Sequence, residues 1–522
     1  MDGVCRRDCL LSVTDARAVC IGSGRFLRAV LVPVLQRLDC HVVLLQPRGT
    51  AFADACREDS NIYSIETIQP DGQIVPEAIE LRAVGSLARD DDKQAFLRLP
   101  GRLRGLRFVG LGVTDAGLQR GSASIFHLTA FLVECWHAIP DNRLSVLNTD
   151  NVPSNGDLIR SLVLQAAEQL LRGESNGLFA DYLDRNVRFH NTMVDRLTSH
   201  APGNLLTPRG EPWPSKTIVI EDCDGFLDDV DIASVASHVH VRKHRSEFER
   251  DHQLKLRLSN ATSSALAYVM ALARFKTNNE ARNLPMVLAF RDRLVRMDLL
   301  PALVGDGIPE ADVERTYAEW ASRSSHPCFG LDNLWVTQDA LLRFNARLFS
   351  TIASSVSRDA HHRPSIFMAF VLASICRFLT PFMPTECASA DTLVGEMDHV
   401  KDAASYQGEW EYGGGLRADL CRGTYEFKDG ADTRVARALG DAYAAVSADS
   451  PQDVPLRRVV AAVETALDAI GSFAAVRERW LAADAFVADV ALLFQRLVAA
   501  HKRRAPMATL SVLADLVETP SG

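Results

Sequence analysis

Apolar and polar positions follow two different rhythms along this chain, and the change falls near its middle. In the first half, short apolar runs stand between amphipathic stretches: Ala18-Val19-Cys20-Ile21, Val42-Val43-Leu44-Leu45, Leu106 to Val113, Leu144 to Leu147 and Thr217 to Ile220. Runs this short and uniformly apolar predict strands buried on both faces. Their alternation with helical patterns such as Phe26 to Leu38 predicts a parallel sheet. Ile65 to Val84 differs, because IETIQPDGQIVPEAIELRAV alternates about Pro70-Asp71-Gly72 and predicts a hairpin-like insertion. From about Phe248 the strand signals fade. Alanine- and leucine-rich helical patterns replace them, as in Leu256 to Phe275, Ala340 to Ser354 and Val454 to His501. The predicted organisation is an α/β domain with a parallel sheet over 1–248, then a mainly α-helical domain over 249–522. Gly408 to Gly430 reads as a glycine-rich loop with a short hairpin, and Glu518 to Gly522 as a fraying end. The apolar segment Ile366 to Cys376, stopped by Arg377, is too short to span a bilayer and predicts a buried helix.

Composition narrows the function classes. Hydrophobic residues make up 47% of the 522, enough for a sizeable core, which excludes disorder over most of the chain. The net charge of −9 gives no global basic footprint for nucleic acid, and the basic runs Arg242–Arg245 and Lys502–Arg504 read as solvated surface. Small anionic substrates therefore need local cations. The eleven cysteines are scattered without paired metal spacing, which points to a reduced, cytoplasmic setting and to no metal. The N-terminus lacks an apolar run long enough for a signal peptide. The expected partner is a small molecule, with no nucleic acid and no membrane, and the expected assembly is a monomer or a small homo-oligomer.

Two segments carry candidate chemistry. The first is Gly22-Ser23-Gly24-Arg25-Phe26-Leu27-Arg28-Ala29, directly after the first predicted strand and opening a helix. Such a turn lets the backbone approach a pyrophosphate at a helix N-terminus. Leu27 stands where a third glycine is usual, so the spacing alone also suits an ordinary strand–helix turn. The second predicted strand runs into Gln46-Pro47-Arg48-Gly49, with no carboxylate to meet ribose hydroxyls. Arg48 suits a 2′-phosphate or a plain surface position. The second segment is His252 to Tyr268. On a helix at about 100° per residue, Leu254, Leu258, Ala261, Ala265 and Val269 share an apolar face. His252, Lys255, Ser259 and Ser263 fall within roughly 80° on another side, with Asn260 at its edge. A desolvated lysine can serve as a base and an asparagine can donate to a developing oxyanion. A solvated polar face is the other reading of the same stripe.

Six segments, taken in order, resemble the long-chain polyol and hexuronate dehydrogenase family, and most resemble its tagaturonate reductase (altronate oxidoreductase) branch. They are GSGRFLRA at Gly22–Ala29, VTDAGL at Val113–Leu118, NTDNVPSNGD at Asn148–Asp157, FHNTMVDRLT at Phe189–Thr198, IVIED at Ile218–Asp222 and LKLRLSNATSSALAY at Leu254–Tyr268. Together they span most of residues 18 to 270. Beyond 290 the likeness is weak, though Leu342-Arg343-Phe344-Asn345 and Pro364–Leu379 are similar to the family's helical domain. The resemblance implies a Rossmann domain followed by a helical domain, and metal-independent hydride transfer between a nicotinamide and a secondary alcohol of a polyol or sugar acid. It implies a dinucleotide at Gly22, Gly24, Phe26, Arg28, Gln46 and Arg48, with the nicotinamide near Thr114 and Asn151. NAD is the expected cofactor, with NADP left open by Arg48.

The family signature is a lysine, an asparagine five residues on, and a histidine three further. Lys255 and Asn260 match, and Ser263 stands in the histidine's place. The resemblance makes Lys255 the general base, Asn260 and Asn151 the holders of the substrate oxygen, and Asp195 a residue of the substrate pocket. His252 lies on a similar azimuth to Ser263, but eleven residues along a helix is about 16 Å, so it does not fill the same place. Ser263 is expected to limit the enzyme, and Ser263→His to raise turnover where the pocket has room. Arg358 and Arg363 are candidates to grip a sugar carboxylate, or form a basic cluster in a helix-capping loop. The alternative function is a catalytically impaired homologue that keeps dinucleotide binding in a regulatory role.

Overall fold

In the computed structural model the described residues are 10–113, 117–171, 173, 175–201, 204–232, 236–273, 275, 277–337, 340–380, 410–412, 417–418, 425–427, 430–446, 456–502 and 508–518. Packing divides the chain into two units, Met1–His252 and Gln253–Gly522.

The first unit is built on a parallel sheet of six strands: β1 (Ala18–Ile21), β2 (Val42–Gln46), β5 (Ala83–Ser86), β6 (Phe108–Leu111), β7 (Leu144–Asn148) and β8 (Val187–Phe189). They lie in the order β5-β2-β1-β6-β7-β8, every pair parallel. This is the doubly wound order, which reverses between β1 and β6. The strands are apolar throughout because both faces are covered. Val19, Ile21, Val43, Leu45, Val109 and Leu111 feed one core. The alternate residues Ala18, Cys20, Val42, Leu44 and Phe108 feed the other.

The hairpin-like insertion is β3 (Ile62–Ile68) against β4 (Ile74–Glu80), antiparallel from Ile62↔Glu80 to Ile68↔Ile74. It recruits β10 (Thr198–Ala201) and β11 (Asn204–Gly210) into a four-stranded sheet. One strand expectation is corrected. The run Thr217–Ile220 does form a strand, β12 (Ile218–Glu221), but in a separate sheet between β9 (Thr192–Val194) and β13 (Val239–Arg242). The sixth place in the parallel sheet goes to β8, whose Val-Arg-Phe is too short and too polar to stand out. Periodicity identifies a strand but does not choose its partner.

The second unit is mainly helical around one core, with a three-stranded sheet at 410–427 in which Trp410–Tyr412 pairs antiparallel with Arg417–Ala418 and parallel with Tyr425–Phe427. The rest of the glycine-rich tract, and the end 519–522, lie outside the described residues. The apolar segment near 370 is a buried helix, Ile366–Phe378, but Arg377 does not stop it. That arginine is fully buried, donates from Nε to His501 Nδ1 at 2.8 Å, and lies over the Tyr443 ring. A buried polar partner and an aromatic face let the charge remain inside the helix. Among the described residues no helix is long and apolar enough to cross a membrane.

Candidate active site

The glycine turn leaves β1 between two neighbouring strands. The Gly22 N–H donates to Leu45 O at 2.8 Å, and Gly22 has φ +140°. A Cβ there would lie 2.5 Å from the carbonyl oxygen of Gly112, just past β6, so only glycine fits. Gly24 is exposed, and a Cβ added to it meets no atom within 4 Å. The space beside this turn is open. The missing third glycine has a structural explanation. Its usual task is close packing of helix on strand, and here the space comes from the strand side. A Cβ on Gly112 would meet Leu27 Cβ at 2.8 Å, and one on Gly110 would meet Leu31 Cδ2 at 3.1 Å. The sequence held this signal in Gly110-Leu-Gly112, and it went unread.

Two expected cofactor residues brace the turn. Arg28 is buried, donates from Nε to Ser23 O at 2.8 Å, and also bonds Leu206 O. Its guanidinium lies 4.6 Å from the Phe52 ring centroid, and burial lowers its pKa. Phe26 packs at the edge of the core on that side. Gln46 closes the end of β2 on itself, donating to Arg48 O at 2.9 Å and accepting from Ala53 N at 3.0 Å. Arg48 is exposed. Thr114 lies outside the described residues.

After β7 the motif Asn148–Asp157 clamps β7 to β9. The Asn151 amide accepts from Val194 N and donates to Val194 O, both at 2.8 Å, leaving one N–H and one lone pair without a partner among the described residues. Asn155 bonds the backbone of Thr192 in both directions. Asp195, half-buried, follows directly, its N–H on Thr217 O. His252 donates from Nε2 to the Asn151 carbonyl at 3.3 Å, and burial lowers its pKa. Asn148, at the C-terminal end of β7, is buried with both amide atoms unpaired among the described residues, and sequence reasoning passed over it.

In the second unit, Lys255 opens and Asn260 closes a π-helical stretch, Lys255–Asn260, that runs into the helix Ala261–Leu272. Lys255, Asn260 and Ser263 are all half-buried, while Leu254, Leu258, Ala261, Ala265 and Val269 lie in the core as expected. The 100° spacing does not hold through the wider π turn, so the azimuths of residues 255–260 are shifted from the α-helical reckoning. Ser263 is hydrogen-bonded on two sides. Its hydroxyl donates to Ser259 O at 2.8 Å and accepts from the Trp320 indole N–H at 3.1 Å. Its single proton is committed, and buried Trp320 occupies the space beyond it. The two substrate arginines are also taken. Arg358 pairs with Asp306, which also binds Arg257 at 2.6 Å, and Arg363 makes a forked pair with Asp489 at 2.8 and 2.9 Å. Both guanidiniums are ion-paired in this structure. Among the described residues no three His, Cys, Asp or Glu side chains gather as metal ligands would.

A strand, an open glycine turn and a doubly wound sheet agree with the family comparison, in which the mannitol dehydrogenase Rossmann domain matches residues 16–228. The altronate oxidoreductase of Escherichia coli O6:K15:H31 (strain 536) is 22% identical over 410 residues, covering 72% of this chain and 82% of that protein. Among solved structures, the Pseudomonas fluorescens mannitol 2-dehydrogenase ternary complex with NAD and D-mannitol is similar with a TM-score of 0.65 and 18% identity, covering 98% of this chain and 96% of that one. A substrate-free D-sorbitol dehydrogenase has a TM-score of 0.58 and 18% identity, covering 72% and 82%. The likeness in fold to the mannitol 2-dehydrogenase structure, which covers 98% of this chain, thus extends past the Rossmann domain into the helical unit.

Proposed function

We propose that this chain is a nicotinamide-dinucleotide-dependent oxidoreductase of a polyol or sugar acid, interconverting a secondary alcohol and a ketone. The observation that carries the reading is the cradle at Gly22–Gly24 within a mannitol dehydrogenase Rossmann domain: Gly22 is fixed by Gly112, while a Cβ at Gly24 would fill open space. The residues present fit a dinucleotide. Gly22, Ser23 and Gly24 would carry the pyrophosphate, and Asn151 would face the nicotinamide. NAD is the dinucleotide named for the similar mannitol 2-dehydrogenase. When bound, the nicotinamide supplies the hydride acceptor for alcohol oxidation and the donor for the reverse.

In this reading Lys255 takes the hydroxyl proton, and the Asn260 amide holds the oxygen as its charge develops. In reverse, protonated Lys255 returns the proton. Asp195 helps shape the substrate pocket. Ser263 is not assigned to the substrate, because its proton is spent on Ser259. The test is a panel of polyols and hexonates with both nicotinamide dinucleotides. Turnover that disappears in Lys255→Ala supports the reading, and full activity in that variant refutes the base. A second reading, a dinucleotide-binding homologue with impaired catalysis, is favoured by the Trp320–Ser263–Ser259 chain that closes the signature's third place. Dinucleotide binding without turnover anywhere on the panel selects it.

A further inference from the structure

We propose that Tyr63 and Arg196 are positioning residues for the dinucleotide, holding the helix behind the glycine turn in a π form that sets the aim of the turn. The proposal rests on the dinucleotide reading above and adds residues that act on the turn through its backbone. Leu27–Leu31 is a π-helical turn. The Val32 N–H bonds Leu27 O, five residues back, whereas an α-helix would send it to Arg28 O. The next donor is missing altogether, because residue 33 is proline, and an α-helix would use that N–H on Ala29 O. Two successive carbonyls, of Arg28 and Ala29, therefore lose their α-helical partners.

Both are met from outside the helix. The hydroxyl of Tyr63, buried on β3, donates to Arg28 O at 2.7 Å. Arg196, in the segment between β9 and β10, donates from Nη1 to Ala29 O at 2.7 Å. The buried Arg196 side chain is itself pinned. Its Nε donates to Glu211 O and its Nη2 to Thr67 Oγ1, both at 2.9 Å, and its guanidinium lies 3.9 Å from the Trp213 ring centroid. Gly210 leaves the room for it, since a Cβ there would lie 2.9 Å from Arg196 Nε. The three acceptors are neutral oxygens, and burial lowers the Arg196 pKa to about 10. A buried guanidinium is a costly way to join a sheet to a helix, and apolar packing would do so at less cost. What directed donors add is a fixed position for the two carbonyls.

That position is transmitted to the turn. Arg28 carries one of the carbonyls, its Nε donates to Ser23 O at 2.8 Å, and its N–H donates to Gly24 O at 3.1 Å. A shift of the Arg28 backbone thus moves Ser23 and Gly24, which would carry the pyrophosphate. A π turn holds more residues than an α turn, so its relaxation would displace the glycine turn against the rest of the helix. A displacement of about 0.5–1 Å is enough to spoil a binding constellation.

The test is fluorescence titration with NADH and NADPH, beside the melting temperature, for the full chain and its variants. Tyr63→Phe keeps the ring in its packing and removes the donor to Arg28 O. It should fold and bind the dinucleotide about tenfold more weakly, with the cofactor KM rising by more than kcat falls. Arg196→Lys withdraws the fork from Ala29 O, and adding Pro33→Ala supplies an α-helical N–H in its place. The double variant should melt higher than Arg196→Lys yet bind the dinucleotide no better, because the supplied bond favours the α form over the π form. A Tyr63→Phe protein that binds as tightly as wild type overturns the proposal, as does a double variant whose affinity recovers together with its melting temperature. If the wild type binds neither dinucleotide, the dinucleotide reading itself falls, and the proposal with it.

Discussion

Replacing Ser263 by histidine restores the family signature on paper, and the structure predicts that it harms this protein. The Ser263 hydroxyl sits between Ser259 O at 2.8 Å and Trp320 Nε1 at 3.1 Å. An imidazole on the same Cβ must push into the indole or turn toward solvent. Pushing in is overpacking against a buried Trp320, which costs about 1–3 kcal/mol. Turning out leaves the indole N–H without its acceptor, a loss of about 1–3 kcal/mol for a buried donor. Either way the Ser259 carbonyl loses its side-chain donor, about 1 kcal/mol more. Ser263→His should therefore lose roughly 2–4 kcal/mol of stability and gain no turnover. The assay is urea unfolding, read as a midpoint shift at constant m, beside steady-state turnover at saturating cofactor. Adding Trp320→Ala to Ser263→His makes room for the ring, so the double variant should turn over faster than the single one. A Ser263→His protein as stable as wild type, or one that gains tenfold in turnover on its own, would refute the claim that the indole closes this place.

Three other expectations follow from individual side chains. Lys255→Ala should remove nearly all turnover across the pH range while dinucleotide affinity, measured by fluorescence, stays within about twofold. Gly24→Asp should fold normally, since a Cβ there meets no atom within 4 Å, yet should abolish dinucleotide binding by placing a carboxylate against the pyrophosphate; unchanged cofactor affinity in the folded variant would move the site elsewhere. Asp298 is buried and pushed up to about 6 from 3.8, first by desolvation, against bonds from Ser365 that lower it. Because its folded pKa is raised, its contribution is complete below about pH 4 and is lost as pH rises through about 6, a swing of about 3 kcal/mol. The stability of Asp298→Asn relative to wild type should therefore climb by about that amount between pH 4 and pH 7, and a flat difference across paired denaturation curves would contradict the burial argument.

Much of this protein is legible in one dimension. Short apolar runs such as Val42–Leu45, alternating with helical patterns, suit strands covered on both faces, so the parallel sheet with helices around it follows from the pattern. The ordered motifs likewise identify the glycine turn, the Asn148–Asp157 loop and the Lys255–Asn260 segment, because local spacing survives folding. What the chain withheld is who meets whom. Nothing local says that β12 leaves the parallel sheet or that Gly112 makes room for Leu27, because both depend on residues distant in sequence. Arg358 and Arg363 look like free cations until Asp306 and Asp489 arrive from 52 and 126 residues away. Ser263 looks like an open place until Trp320 fills it from 57 residues along. Sequence periodicity fixes which face of an element is buried, since that depends on hydrophobic spacing alone. The occupancy of each polar group is a matter of long-range pairing, and only the tertiary structure decides it.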